Sequence, residues 1–193
     1  MIIRKLFKFE NAHIVRNCST QRCSENLHGH SYRVEVLLES DYLDHGQMVY
    51  DFGLMKLYIK EMIDAFDHGV TLWSGDDPDY VAQMKRFSKR WIVLPVSPSA
   101  EQFARVIFLM VERVLHLTKM QNGERNVSIQ SIIVHETETG YAQAFAEDAH
   151  SVKMGLIALE TIEFSPHIRQ EWHDPNLWNH VLEGRPLTTP KKV

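Results

Sequence analysis

Apolar and polar residues alternate along two early stretches of the chain. Phe7 and Phe9 share one side against Lys8 and Glu10, and Tyr32, Val34, Val36 and Leu38 share one side against Arg33, Glu35 and Glu39. Side chains two apart on a strand project to the same face, so both stretches read as strands with one face turned inward. Paired as an antiparallel hairpin, they would put those apolar positions on a common face. Further along, Leu54, Leu57, Tyr58, Met62 and Phe66 recur at helical spacing, and the helix they predict stops before Asp67-His68-Gly69. A loop at Ser74–Asp79 precedes a short helical stretch from about Tyr80 to Arg90, and Ile92–Val96 reads as extended. Ser97-Pro98-Ser99-Ala100-Glu101 has the residues of a helix cap and first turn. The helix it opens runs to about Thr118 through Phe103, Val106, Ile107, Met110, Val114 and Leu117. After the Asn122-Gly123 turn come two more strands, Val127–His135 and about Tyr141–Phe145. Strand-like residues recur between Val152 and Phe164, and a Trp/His/Pro-rich tail closes the sequence.

The order strand, strand, helix, helix, strand, strand predicts an α+β domain, a four-stranded antiparallel sheet with two long helices on one face. Residues 1–147 hold that domain, with an insertion at about 71–94, and 148–193 extend it. A sheet of this kind leaves edges that pairing between subunits would cover, which predicts a homo-oligomer.

Composition narrows the function. With 44% hydrophobic and 24% charged residues the chain is an ordinary globular sequence. A formal net charge of −4 lacks the basic field that nucleic acid or an anionic membrane would require. Two cysteines, Cys18 and Cys23, are too few for a disulfide framework and fit a reducing compartment, although a short bridge between them stays open. There is no charged-then-apolar leader after Met1 and no apolar run of membrane-spanning length, so a cytoplasmic location is expected.

The candidate chemistry lies at one end of the hairpin. His28 and His30 flank Gly29 and have the parity of the inward face, and the parity of Phe7 and Phe9 carries forward to His13. Three neutral imidazoles with a fourth position open are the ligand set of a catalytic zinc. A lone buried histidine is more often a hydrogen-bonded core residue; it is the convergence of three, with a glycine permitting close backbone approach, that favours a metal. The eight remaining histidines show no such grouping.

Several separated strings carry a resemblance. They are Phe9-Glu10-Asn11-Ala12-His13, Cys23 ahead of His28-Gly29-His30, Gly46 to Phe52, Asp67-His68, Pro98 to Ala104, and Val134-His135-Glu136-Thr137. Together, over roughly Ile2 to Glu147, the chain resembles the 6-pyruvoyl-tetrahydropterin synthase / 6-carboxytetrahydropterin synthase family of tunnelling-fold (T-fold) enzymes. The resemblance implies that sheets join between subunits into a barrel, by analogy in a hexamer of stacked trimers. It implies that His13, His28 and His30 hold Zn2+, that Cys23 is the general base, and that Asp67 and His68 tune it across a subunit boundary. Glu136 would anchor the pterin, with Glu25, Ser99 and Glu101 as further substrate-binding candidates.

Four residues separate Cys23 from His28, where the family pattern has three or five, and Glu25 stands where another branch of the family carries a glutamate base. A thiolate needs a neighbour such as His68 to lower its pKa, which favours Cys23. The compact Cys23-to-His28 segment and Asp51-Phe52 look closer to the bacterial carboxy-forming members. The activity this implies is a zinc-dependent lyase that converts 7,8-dihydroneopterin triphosphate to 6-carboxy-5,6,7,8-tetrahydropterin, releasing acetaldehyde and triphosphate, in queuosine and 7-deazaguanine biosynthesis. The alternatives are 6-pyruvoyl-tetrahydropterin formation by triphosphate elimination, a folate-related side-chain cleavage using Glu25, and, from another class, a non-catalytic zinc-binding scaffold. An unrelated zinc hydrolase would leave Glu136 without a role.

Overall fold

The computed structural model describes residues 1–190. Its strands are β1 (Ile2–His13), β2 (His28–Glu39), β3 (Gly69–Trp73), β4 (Trp91–Leu94), β5 (Thr118–Lys119), β6 (Ser128–His135), β7 (Tyr141–Ala144), β8 (Glu163–Phe164) and β9 (Leu187–Thr188). Its α-helices are α1 (Gln21–Glu25), α2 (Tyr58–Asp64), α3 (Pro78–Phe87), α4 (Ala100–Leu117), α5 (Ala146–Ala149), α6 (Pro166–Glu171) and α7 (Leu177–Glu183).

The expected hairpin forms, with its apolar positions on a common face. β1 and β2 pair antiparallel from Ile2↔Glu39 to His13↔His28, and β6 and β7 extend the meander on the β2 side. Phe7, Phe9, Tyr32, Val34, Val36 and Leu38 are buried on one face, against which α4 packs through Phe103, and the same helix lies along β6 and β7. Ser99 caps α4 by accepting from the Gln102 amide, and twelve of that helix's eighteen residues are buried, so this single helix supplies the centre of the core. Phe103 stands at its heart, with Phe9, Tyr32 and Phe66 at centroid distances of 6.0, 5.2 and 5.5 Å.

The sheet has seven strands, in the order β7-β6-β2-β1-β3-β4-β8, and not the four expected. The extra strands come from the region expected to be an insertion and from the tail. β3 joins β1 in parallel through Asn11↔Gly69 and Ala12↔Val70 only, β4 runs parallel to β3, and β8 closes the edge antiparallel to β4. With α3 as the crossover, β3 and β4 make a βαβ unit. Its own small core consists of Val70, Leu72 and Val93 packed by Tyr80, Val81, Met84 and Trp91.

The first of the two expected long helices is also corrected. Leu54–Phe66 divides into a 3-10 turn at Leu54–Lys56 and the seven-residue α2, broken at Leu57, whose ψ of −118° is not helical. Beyond Ala149 the strand-like residues yield only β8, while the Trp-rich end forms α6 and α7; Ile168, Leu177, Trp178 and Val181 of these helices, with Trp172 between them, join the main core. No helix among the described residues is long and apolar enough to cross a membrane.

Candidate metal centre and active site

The ends of β1 and β2 create the site. His13 lies opposite His28 and Asn11 opposite His30, so strand parity places three imidazoles on the inward face at the open end of the hairpin. Gly29 lets the strands close here. A Cβ at that position would lie 2.9 Å from the Asn11 carbonyl oxygen, closer than two such atoms sit.

Each of the three histidines offers a ligand nitrogen within 4.8 Å of the others, and among the described residues they are the sole such grouping. Two tautomers are fixed by backbone acceptors. His13 Nδ1 donates to the Pro98 carbonyl at 2.6 Å and His28 Nδ1 to the Asn26 carbonyl at 2.9 Å, which leaves each Nε2 as a lone-pair donor. His13 is wholly buried, and burial pushes its imidazole down to about 4; the Pro98 hydrogen bond works against this, and His28 and His30 reinforce it. A neutral, oriented imidazole is the form a metal requires. The donor set, three neutral imidazoles, fits a metal ion such as zinc held by His13, His28 and His30.

Glu136 stands at the lip of this cluster. Its Oε1 lies 3.8 Å from His13 Nε2 and 3.9 Å from His30 Nε2, and it accepts a hydrogen bond from the Tyr32 hydroxyl at 3.3 Å. Burial, then the Glu136 charge, push the Tyr32 hydroxyl far up, so it stays a donor. Glu136 follows directly on β6, and its carboxylate turns in toward the histidines. The role of Tyr32 is one that sequence reasoning missed: its parity marked it only as core, although the same parity put it beside His30.

The other candidates are distributed around the centre. Cys23 is half-buried on α1, in the loop between the two ligand strands, and its carbonyl accepts from the Val15 amide at 3.0 Å. In an extended loop Cys23 and Glu25 would share a face, but on α1 they are rotated about 200° from one another around the helix axis. Glu25 is exposed and accepts from Gln21 of its own helix at 3.3 Å. Ser99 uses its hydroxyl as the α4 cap, and Glu101 is exposed in the first turn of that helix.

Asp67 and His68 precede β3, on the edge of β1 away from β2. Asp67 accepts from the Glu10 amide at 2.7 Å and from His68 Nδ1 at 2.9 Å, while the His68 amide donates to the Glu10 carbonyl at 2.7 Å. Burial alone would raise the Asp67 carboxyl, but the Glu10 amide, His68 and Arg90 hold it below its ordinary value. His68 adopts a left-handed φ of 51° and leaves its ring largely exposed, in a pocket whose wall includes Glu10, Gly29, His30 and Ser31. No hydrogen bond joins the pair to Cys23 among the described residues.

The fold and this centre define the class first. An uncharacterized protein from Wolinella succinogenes superposes with a TM-score of 0.55 at 20% identity, over 76% of this chain and 98% of the other. The 6-pyruvoyl tetrahydropterin synthase of Caenorhabditis elegans gives 0.53 at 18% identity, over 76% and 95%. The chain thus has the tunnelling fold, with a three-histidine centre at the end of its hairpin. Residues 2–147 match the family described as 6-pyruvoyl tetrahydropterin synthase, and the chain belongs to that family. A 6-carboxy-5,6,7,8-tetrahydropterin synthase of Helicobacter pylori (strain J99) is 34% identical over 183 residues, covering 94% of this chain and 92% of the relative.

Proposed function

We propose that this protein is a zinc-dependent lyase. It converts 7,8-dihydroneopterin triphosphate to 6-carboxy-5,6,7,8-tetrahydropterin, with release of acetaldehyde and triphosphate, and serves 7-deazaguanine and queuosine synthesis in the cytoplasm. The observation that carries this reading is the convergence of His13, His28 and His30 with the Glu136 carboxylate against them, in a chain akin to a carboxytetrahydropterin synthase along nearly its whole length.

The residues divide the work. Bound by the three histidines, zinc would supply Lewis-acid polarisation of the substrate's side-chain hydroxyls. Glu136 accepts the paired N–H groups of the pterin edge, a geometry in which one carboxylate satisfies two donors, and Tyr32 holds that carboxylate in place. Cys23 removes a side-chain proton as general base. In support of this choice over Glu25, Cys23 is half-buried, whereas Glu25 is exposed and its carboxylate is hydrogen bonded to Gln21 of its own helix.

Asp67 and His68 serve the Cys23 of a neighbouring copy. In support, His68 is exposed and hydrogen bonded through Nδ1, which leaves its Nε2 facing outward. The assembly is a homo-oligomer, by analogy a hexamer of stacked trimers. Residues 1–147 form the synthase domain, and 148–193 are a C-terminal extension of that domain. The test is incubation of the zinc-loaded protein with 7,8-dihydroneopterin triphosphate in an acetaldehyde-coupled assay. Acetaldehyde should form in step with triphosphate; triphosphate without acetaldehyde would overturn the proposed reaction.

A further inference from the structure

The loop that carries Cys23 has little to hold it. α1 has five residues, none of them buried, and no side-chain cap at its start. A helix so short has no stability of its own. Within the loop, the Cys23 carbonyl accepts from the Val15 amide at 3.0 Å, and the Cys23 and Ser24 amides donate to the Thr20 carbonyl. A fixed position for the thiol requires an anchor from outside.

Arg16 makes that connection. Its Nη1 donates to the Ser24 carbonyl at 3.2 Å, one residue past Cys23, while its Nε lies 3.0 Å from each carboxylate oxygen of Asp76. The guanidinium also lies over the Tyr80 ring at 5.2 Å. Asp76 is in the turn between β3 and α3, with its side chain only 8% exposed, and its Oδ1 accepts in addition from the Asp77 amide at 2.8 Å. Tyr80 is on α3 and belongs to the small core shared by β3 and β4. The βαβ unit thus has its own packed base, and from it an ion pair and a ring reach across to the loop.

We infer that the β3–α3–β4 unit is a clamp for the catalytic loop, and that Asp76 and Arg16 are positioning residues for Cys23. The inference rests on the reading of Cys23 as the general base. A planar guanidinium is suited to this task, because it can face a carboxylate, a carbonyl and an aromatic ring at once, which an ammonium cannot. Neither residue is hydrogen bonded to the three histidines among the described residues. Their effect is on where the thiol stands, and a displacement of about 1 Å at a reacting group is enough to cost up to roughly a hundredfold in rate.

The test uses the full-length, zinc-loaded protein with Cys18→Ser as the parent, so that Cys23 is the one thiol followed. Asp76→Asn keeps the acceptor for the Asp77 amide but removes the charge that holds Arg16. Arg16→Lys keeps the charge but cannot reach Asp76 and the Ser24 carbonyl together. Both should lower kcat by about ten- to a hundredfold, leave KM and zinc content at the parent's values, and raise the rate at which iodoacetamide alkylates Cys23. Arg16→Lys carries the test alone if Asp76→Asn does not fold. Folded variants with the parent's kcat and alkylation rate would overturn the clamp. If Cys23→Ala itself retains the parent's rate, the base reading falls and takes this inference with it; if Cys23→Ala is inactive while both clamp variants run at full rate, only the clamp falls.

Discussion

Acid should destabilise the metal-free protein through one residue above all, His13. Its ring has no exposed surface, and burial lowers its pKa from the ordinary 6.5 to about 4. As the pH falls through 6.5 the unfolded chain takes up a proton at this position, and the folded protein does not until near 4. The stability contributed by a neutral His13 is therefore fully present above pH 6.5 and is lost progressively as the pH falls toward 4. Between pH 7 and pH 4.5 the loss comes to about 2 kcal/mol, or roughly 4–8 °C in Tm for a chain of this length. His13→Asn provides the comparison, since an amide at this position can still donate to the Pro98 carbonyl as Nδ1 does. Thermal melts in chelator across this range should show the wild-type Tm falling more steeply than the variant's by that amount. Parallel curves would refute the argument, because they would mean that His13 takes up its proton equally well in the folded protein.

Further outcomes follow from the same geometry. Replacing His30 by Ala should abolish stoichiometric zinc in metal analysis of the purified protein, and full occupancy would remove His30 from the ligand set. Glu136→Gln loses a charge-assisted contact worth about 1.5–3 kcal/mol, so kcat/KM should fall by roughly 10- to 100-fold, whereas an unrelated zinc hydrolase would be indifferent to it. Cys23→Ala should lose on the order of 10²–10⁴-fold in rate while retaining zinc, and Glu25→Gln should do little; the opposite ranking would make Glu25 the base. Sedimentation at micromolar concentration should show an oligomer, against which a monomer would count directly.

The two kinds of periodicity in the chain were unequally legible. β1 and β2 could be read because one of their faces is buried along its length, so each residue's parity reports its side, and that parity extends to His13, His28 and His30. α4 was legible from its cap, Ser99, and its long apolar face. β3 and β4 were not. They are five and four residues long, mostly buried on both faces, and pair in parallel with partners remote in sequence; a short continuous apolar run carries no alternation to distinguish it. For the same reason Gly69 read as a helix stop, where it begins a strand. α1 was missed because a five-residue helix with no buried side has no apolar period to show. At the site, the histidines followed from local pattern, but nothing local reveals that Glu136 turns inward, or that Arg16 meets Asp76 sixty residues on. Those are tertiary contacts, and only the family resemblance singled out Glu136.

The central claim is the identity of the reaction at the three-histidine centre, and the pterin product tests it most directly. The zinc-loaded protein should be given 7,8-dihydroneopterin triphosphate and the pterin formed identified by mass spectrometry. The account predicts 6-carboxy-5,6,7,8-tetrahydropterin, absent from a His28→Ala control. A product that keeps the full three-carbon side chain as 6-pyruvoyl-tetrahydropterin, or substrate recovered unchanged, would contradict it.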